Sequence, residues 1–137
     1  MTDRELDAKI AEYLFGWTEI DTAREFSGWD FTDTPGSWEY EGSTGVGREP
    51  GMHMTSRAPY PPYSSTGDGM LAVLEALKKR GCTNAGVFWI PRFEGGKWCA
   101  VTEEGGDYTM ADSAPRAVCL ATLAALGAGL KETKDVP

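Results

Sequence analysis

At 137 residues, with 41% hydrophobic and 25% charged residues, the chain has the size and composition of one globular domain and not of a disordered segment. A net charge of −8 excludes a protein that coats nucleic acid, because such binding needs cations that displace counterions from phosphates; a local basic pocket for a small anion, or mimicry of DNA, stays open. No apolar run reaches the length of a membrane span, the start Met1-Thr2-Asp3-Arg4-Glu5 is no signal peptide, and Cys82, Cys99 and Cys119 lack metal-ligand spacing, so a reducing cytoplasm is expected, with no membrane partner, cofactor or metal.

Thr2 and Glu5 have the spacing of a capping box, and Leu6, Ile10, Tyr13 and Leu14 recur at helical intervals up to Gly16, which predicts a helix over 2–15. Gly16 suits a left-handed position that turns Trp17 out of the helix axis. Between 17 and 40 the alternations Trp29/Phe31 and Trp38/Tyr40 stand among turn residues and read as short strands or a packed loop. The Gly- and Pro-rich run 41–63 reads as an irregular excursion, with disorder conceivable over 41–56. Ser64, Ser65 and Thr66 then precede Asp68, Met70, Leu71, Leu74 and Leu77, and Lys78-Lys79-Arg80-Gly81 closes the run. Hydroxyl caps, an early acid and late cations predict a helix over 67–80.

Val87-Phe88-Trp89-Ile90, Lys97 to Thr102 and Tyr108-Thr109-Met110 are separated by Gly-rich turns and predict an antiparallel meander of three strands. Asp112 and Ser113 open a last helix, with Pro115 in its first turn and Leu120, Leu123, Ala124 and Leu126 on its apolar face, ending at Gly127. The expected fold is α+β, an antiparallel sheet of three or more strands covered by helices. One domain over 1–127 contains an irregular, aromatic- and Gly/Pro-rich insertion at 26–58, and 128–137 is a loose tail.

Catalytic signatures are missing from the sequence. His53 is the only histidine and stands alone in a loop, 63–67 lacks the lysine of a phosphate-binding loop, and Cys99 and Cys119 have no base beside them. The acids Glu103-Glu104, Asp30, Asp33, Glu39 and Glu41 lie among turn residues, where solvated carboxylates are the plainer reading than a glycosidase pair. What remains suits binding without turnover. Trp17, Trp89 and Trp98 offer flat aromatic surfaces, Arg57, Arg92 and Arg116 are isolated cations, and the helix start with Ser65 and Thr66 presents backbone N–H groups. Together these residue types hold phosphates and stack a base, although each has an ordinary structural role open to it.

Three stretches together, Glu5-Leu6-Asp7 to Leu14-Phe15-Gly16-Trp17, Pro62-Tyr63-Ser64-Ser65, and Asp112-Ser113-Ala114-Pro115-Arg116-Ala117-Val118-Cys119-Leu120-Ala121 closing at Leu126-Gly127, resemble the phage ABA-sandwich family. The resemblance implies helices packed around an antiparallel sheet. Some members of that family resemble Thoeris anti-defence sponges, which oligomerise and sequester cyclic ADP-ribose-type immune signals. It therefore implies a phage or prophage anti-defence protein in the host cytoplasm, a homo-oligomer that binds a nucleotide-derived signal without cleaving it, with Trp17 and Arg116 at the ligand. Arg57, Ser65, Thr66, Trp89 and Arg92 are further candidates from the residues themselves. The insertion at 26–58 departs from the family pattern. The alternative is an acidic inhibitor that docks on a host defence enzyme or nuclease through its aromatic-rich segment.

Overall fold

A computed structural model describes residues 2–23, 45–51, 57–82, 85–91, 96–102 and 109–127. Its elements are α1 (Asp3–Tyr13), β1 (Thr18–Asp21), β2 (Val46–Arg48), β3 (Ala58–Pro59), α2 (Gly67–Lys79), β4 (Gly86–Ile90), β5 (Lys97–Val101), β6 (Thr109–Ala111) and α3 (Ala114–Leu126). The chain is α+β, as its sequence predicts, but with two antiparallel sheets instead of one: β1-β2-β3 and β4-β5-β6.

Each helix begins as its sequence dictates. The Thr2 hydroxyl accepts from the Glu5 N–H at 3.2 Å while the Thr2 N–H donates to the Glu5 carboxylate at 2.9 Å. Hydrogen bonding of the Glu5 carboxylate to the Thr2 backbone N–H, and next to the Thr2 side chain, holds that carboxyl below its ordinary range. Thr66 caps α2 by accepting from the Gly69 N–H, and Ser113 caps α3 by accepting from the Arg116 N–H, with Pro115 in the first turn where no N–H is needed. Gly127 closes α3 in the left-handed region.

α3 organises the core. It packs against α1, α2 and all three strands of the second sheet, so it is buried on several faces at once: Ala117, Val118, Cys119, Ala121, Thr122 and Leu123 are all inside. Small residues let its neighbours approach closely, while Leu6, Ile10, Val73 and Leu77 from α1 and α2 fill the rest of the core. The second sheet is regular, with β4 and β5 in unbroken register and Trp98 of β5 opposite Ala111 of β6.

The first sheet was not legible as a sheet. Of the segment 26–58 expected to be irregular, residues 45–51 and 57–58 are described, and they carry β2 and the start of β3. Val46 pairs with Pro59 and Gly47 with Ala58, and Val46, Ala58 and Tyr60 have no exposed surface. These strands are held by burial, being too short for any alternation to register. The aromatic alternations at 29–31 and 38–40 lie outside the described residues, as does the predicted tail 128–137. No helix among the described residues is long and apolar enough to cross a membrane.

Candidate functional site

The first turn of α3 and the approach to α2 both touch the first residue of α1. Asp3 is the first residue of α1, Ser64 lies just before the α2 cap, and Arg116 is in the first turn of α3. The Arg116 guanidinium pairs with the Asp3 carboxylate at 2.7 Å, its side chain 28% exposed, and the Ser64 hydroxyl lies 3.3 Å from the Asp3 carbonyl oxygen. The starts of α1 and α3 carry the positive ends of their dipoles, and here they lie beside one guanidinium and the Asp3 carboxylate.

Beneath this meeting point lies Asp7, with no exposed surface. Its Oδ1 accepts from the Ser64 N–H at 2.8 Å and from the Ser64 hydroxyl at 2.7 Å, while its Oδ2 is buried with no hydrogen-bond partner. Burial pushes this carboxyl up to about 7, against the opposing pull of the two Ser64 hydrogen bonds. Burial, and after it the nearby Asp7 charge, pushes the Tyr60 hydroxyl up to about 12 and the Cys119 thiol well above its usual range. Cys119 is therefore held as a thiol, the wrong form for a nucleophile. Ser64 is 1% exposed, and its bond to Asp7 ties the approach to α2 onto α1 instead of facing a substrate.

Ser65 is exposed in the turn before α2, whereas the Thr66 hydroxyl is spent, donating to the Pro62 carbonyl and accepting from the Gly69 N–H. Past the cap, a side chain at Gly67 would meet nothing within 4 Å, so the first turn of α2 opens outward. Trp89 is 45% exposed, its ring tilted against Trp98 at a centroid distance of 5.3 Å. The indole lies over Gly96, where a Cβ would fall 1.9 Å from the ring and where φ is +77°. Trp89 faces Trp98, and Trp98 faces Ala111, which leads directly into the Ser113 cap of α3. The tryptophan pair and Arg116 thus belong to the same end of the second sheet and α3.

Trp17 does not offer a surface. Gly16 takes the left-handed conformation at φ +78°, and the Trp17 N–H returns to the Ala11 carbonyl at 2.9 Å, so the chain folds back. The indole is 4% exposed and meets Tyr60 edge to face at 6.1 Å. The stacking role expected of Trp17 is corrected to a core role, because its faces are spent on packing. Arg57 stands apart from the helix starts, 3.6 Å from Glu19 of β1. The same carboxylate is 2.9 Å from Arg48 of β2. Arg92 and His53 lie outside the described residues. Among those described, no group of three or more His, Cys, Asp or Glu residues is placed to hold a metal ion.

The sequence reading missed Asp7, Glu19 and Arg48. Asp7 had a signal: it falls three and seven residues before Ile10 and Leu14, so an acid stands on the apolar stripe of α1. Compared with protein-family models, curated proteins and solved structures, the chain returns no match.

Proposed function

We propose that this protein binds a small nucleotide-derived anion, of the cyclic nucleotide or cyclic ADP-ribose type, and holds it without cleaving it. In this reading it is a phage or prophage anti-defence protein that sequesters an immune signal in the host cytoplasm, as a homo-oligomer. The two sheets and three helices are then a variant of the ABA-type sandwich, and 26–58 is its insertion. The observation that carries the reading is Arg116 at the adjoining starts of α1 and α3, with the turn that leads into α2 beside them, since helix dipoles, backbone N–H groups and a guanidinium together recognise phosphates. Trp89, half-exposed and leaning on Trp98 at the same end of α3, takes the base-stacking role. Retention without turnover fits a site whose hydroxyl, thiol and carboxyl are committed to structure: Ser64 to Asp7, Cys119 to the core, Asp7 to Ser64.

Sequestration works by titration, so affinity must be high, about −12 kcal/mol for a nanomolar dissociation constant. Calorimetry against cyclic ADP-ribose isomers and cyclic dinucleotides, followed by mass spectrometry of the recovered ligand, tests both halves. A nanomolar partner returned unchanged is expected. Binding weaker than micromolar across the panel, or a chemically altered ligand, overturns the proposal.

A second reading, an acidic inhibitor of a host nuclease or defence enzyme, is favoured by one observation. Phe88 and Met110, 42% and 48% exposed, flank Cys99 on one face of the second sheet, and exposed apolar side chains of this kind anchor protein partners. Capture of such an enzyme by the wild-type protein and its loss on Phe88→Ser would favour this reading over the first.

A further inference from the structure

We infer that Arg48 and Arg57 form a phosphoryl-binding site in which the Glu19 carboxylate stands where the ligand's oxygens go. It rests on residues separate from the helix starts and does not require the sequestration reading. Arg48 on β2 and Arg57 at the edge of β3 each reach one oxygen of the same carboxylate, Arg48 to Oε2 at 2.9 Å and Arg57 to Oε1 at 3.6 Å. Two guanidiniums thus share one carboxylate, in a chain whose net charge is −8. A carboxylate with one oxygen on each of two arginines has the outline of two phosphoryl oxygens, and a phosphoryl dianion would balance the charge that Glu19 leaves.

Arg48 has a donor to spare. The Arg48 Nε is buried with no acceptor, although the side chain as a whole is 23% exposed. A guanidinium serving only as a structural tie would be expected to spend its buried donors on neighbours. The arm that carries the carboxylate is itself unusual. Glu19 is the one residue other than glycine at positive φ among those described, at 55°, and the pairing of β1 with β2 is irregular between Thr18 and Asp21. A bulge at a left-handed residue re-aims a side chain that a regular strand would send elsewhere. Here it brings Glu19 over the two arginines while leaving its side chain 44% exposed, on the open side from which a ligand enters. The arginines are fixed beneath, Arg48 opposite Thr18 in the sheet and Arg57 beside the fully buried Ala58.

The test is calorimetry of the full chain with inorganic pyrophosphate, which lacks a base and so reports on this site without the nucleotide reading. The wild type is expected to bind saturably, Glu19→Gln roughly tenfold more tightly because the internal competitor is gone, and Arg48→Gln and Arg57→Gln at least tenfold more weakly. Glu19→Asn repeats the first variant with a residue that tolerates the left-handed backbone, in case Glu19→Gln folds poorly. Adding AMP and inorganic phosphate identifies the source of the phosphoryl group: equal affinity assigns the free ion and tighter AMP binding a nucleotide, both within the proposal. Unchanged or weaker pyrophosphate binding in both Glu19 variants overturns it, as does wild-type affinity in Arg57→Gln or acetate binding as tightly as phosphate.

Discussion

Between β4 and β5 five consecutive pairs face one another from Gly86–Val101 to Ile90–Lys97, whereas β1 and β2 match at Thr18–Arg48 and Asp21–Val46 with an irregularity between. The second sheet is laid on α3 by apolar contact, and its residues read as a strand because alternation and turns repeat over enough of them. The first sheet and the helix starts beside it are different. They hold Asp7 with no exposed surface, Glu19 at positive φ, and the Arg48 Nε without an acceptor. Each of these costs stability that the regular half must offset, and proteins retain such costs chiefly where binding or catalysis uses them.

The largest effect expected in the irregular half is a pH dependence. Asp7 is raised by burial from 3.8 to about 7, so the folded protein keeps a proton that the unfolded chain has already released. Its contribution to stability is complete below about pH 4, falls as the pH rises, and is lost above about pH 7, a decline on the order of 4 kcal/mol. Urea unfolding from pH 4 to 8 should show that decline, and Asp7→Asn, whose amide oxygen still accepts from Ser64, should flatten it. A flat wild-type profile would remove the cost assigned to this half.

In the regular half, Leu123→Ala opens the fully buried centre of α3 and should cost about 3 kcal/mol by urea unfolding at any pH in that range. Gly96→Ala forces a side chain into the Trp89 ring at a left-handed position, with an expected loss of about 2 kcal/mol. Near-UV circular dichroism should change with it, since the Trp89–Trp98 contact is broken. An unchanged spectrum would mean that the indole does not rest on Gly96. The smallest effect is Thr66→Ala, which removes the α2 cap and should cost about 1 kcal/mol, read as a lower melting temperature with no change in the pH profile.

The same contrast explains what the sequence made legible. Helix starts and ends are local signals, so Thr2, Thr66, Ser113 and Gly127 mark α1, α2 and α3 to within about two residues. The three strands from 86 to 111 carry alternation and glycine turns within a short stretch. By contrast, Thr18 meets Arg48 and Val46 meets Pro59 across long separations, through strands too short for periodicity, and the Gly- and Pro-rich composition masks them. Trp17 misled because the turn at Gly16 gives the direction of the chain and not what lies beyond it, here Tyr60. Of the candidate site, Arg116 and the turn at 64–66 were legible as chemistry, but only the fold brings them together at Asp3. The trio of Glu19, Arg48 and Arg57 comes from three segments, and nothing local in any of them announces the others.

The most direct measurement is a paired calorimetric titration of wild type and Arg116→Gln with the tightest ligand of the nucleotide panel, at equal folded fraction by circular dichroism. If the helix starts hold the ligand's phosphates, the variant binds roughly 30-fold or more weakly, and the ligand recovered from the wild type has its original mass. Equal affinity in the two proteins, or a ligand returned with a changed mass, would contradict a sequestering site at Arg116.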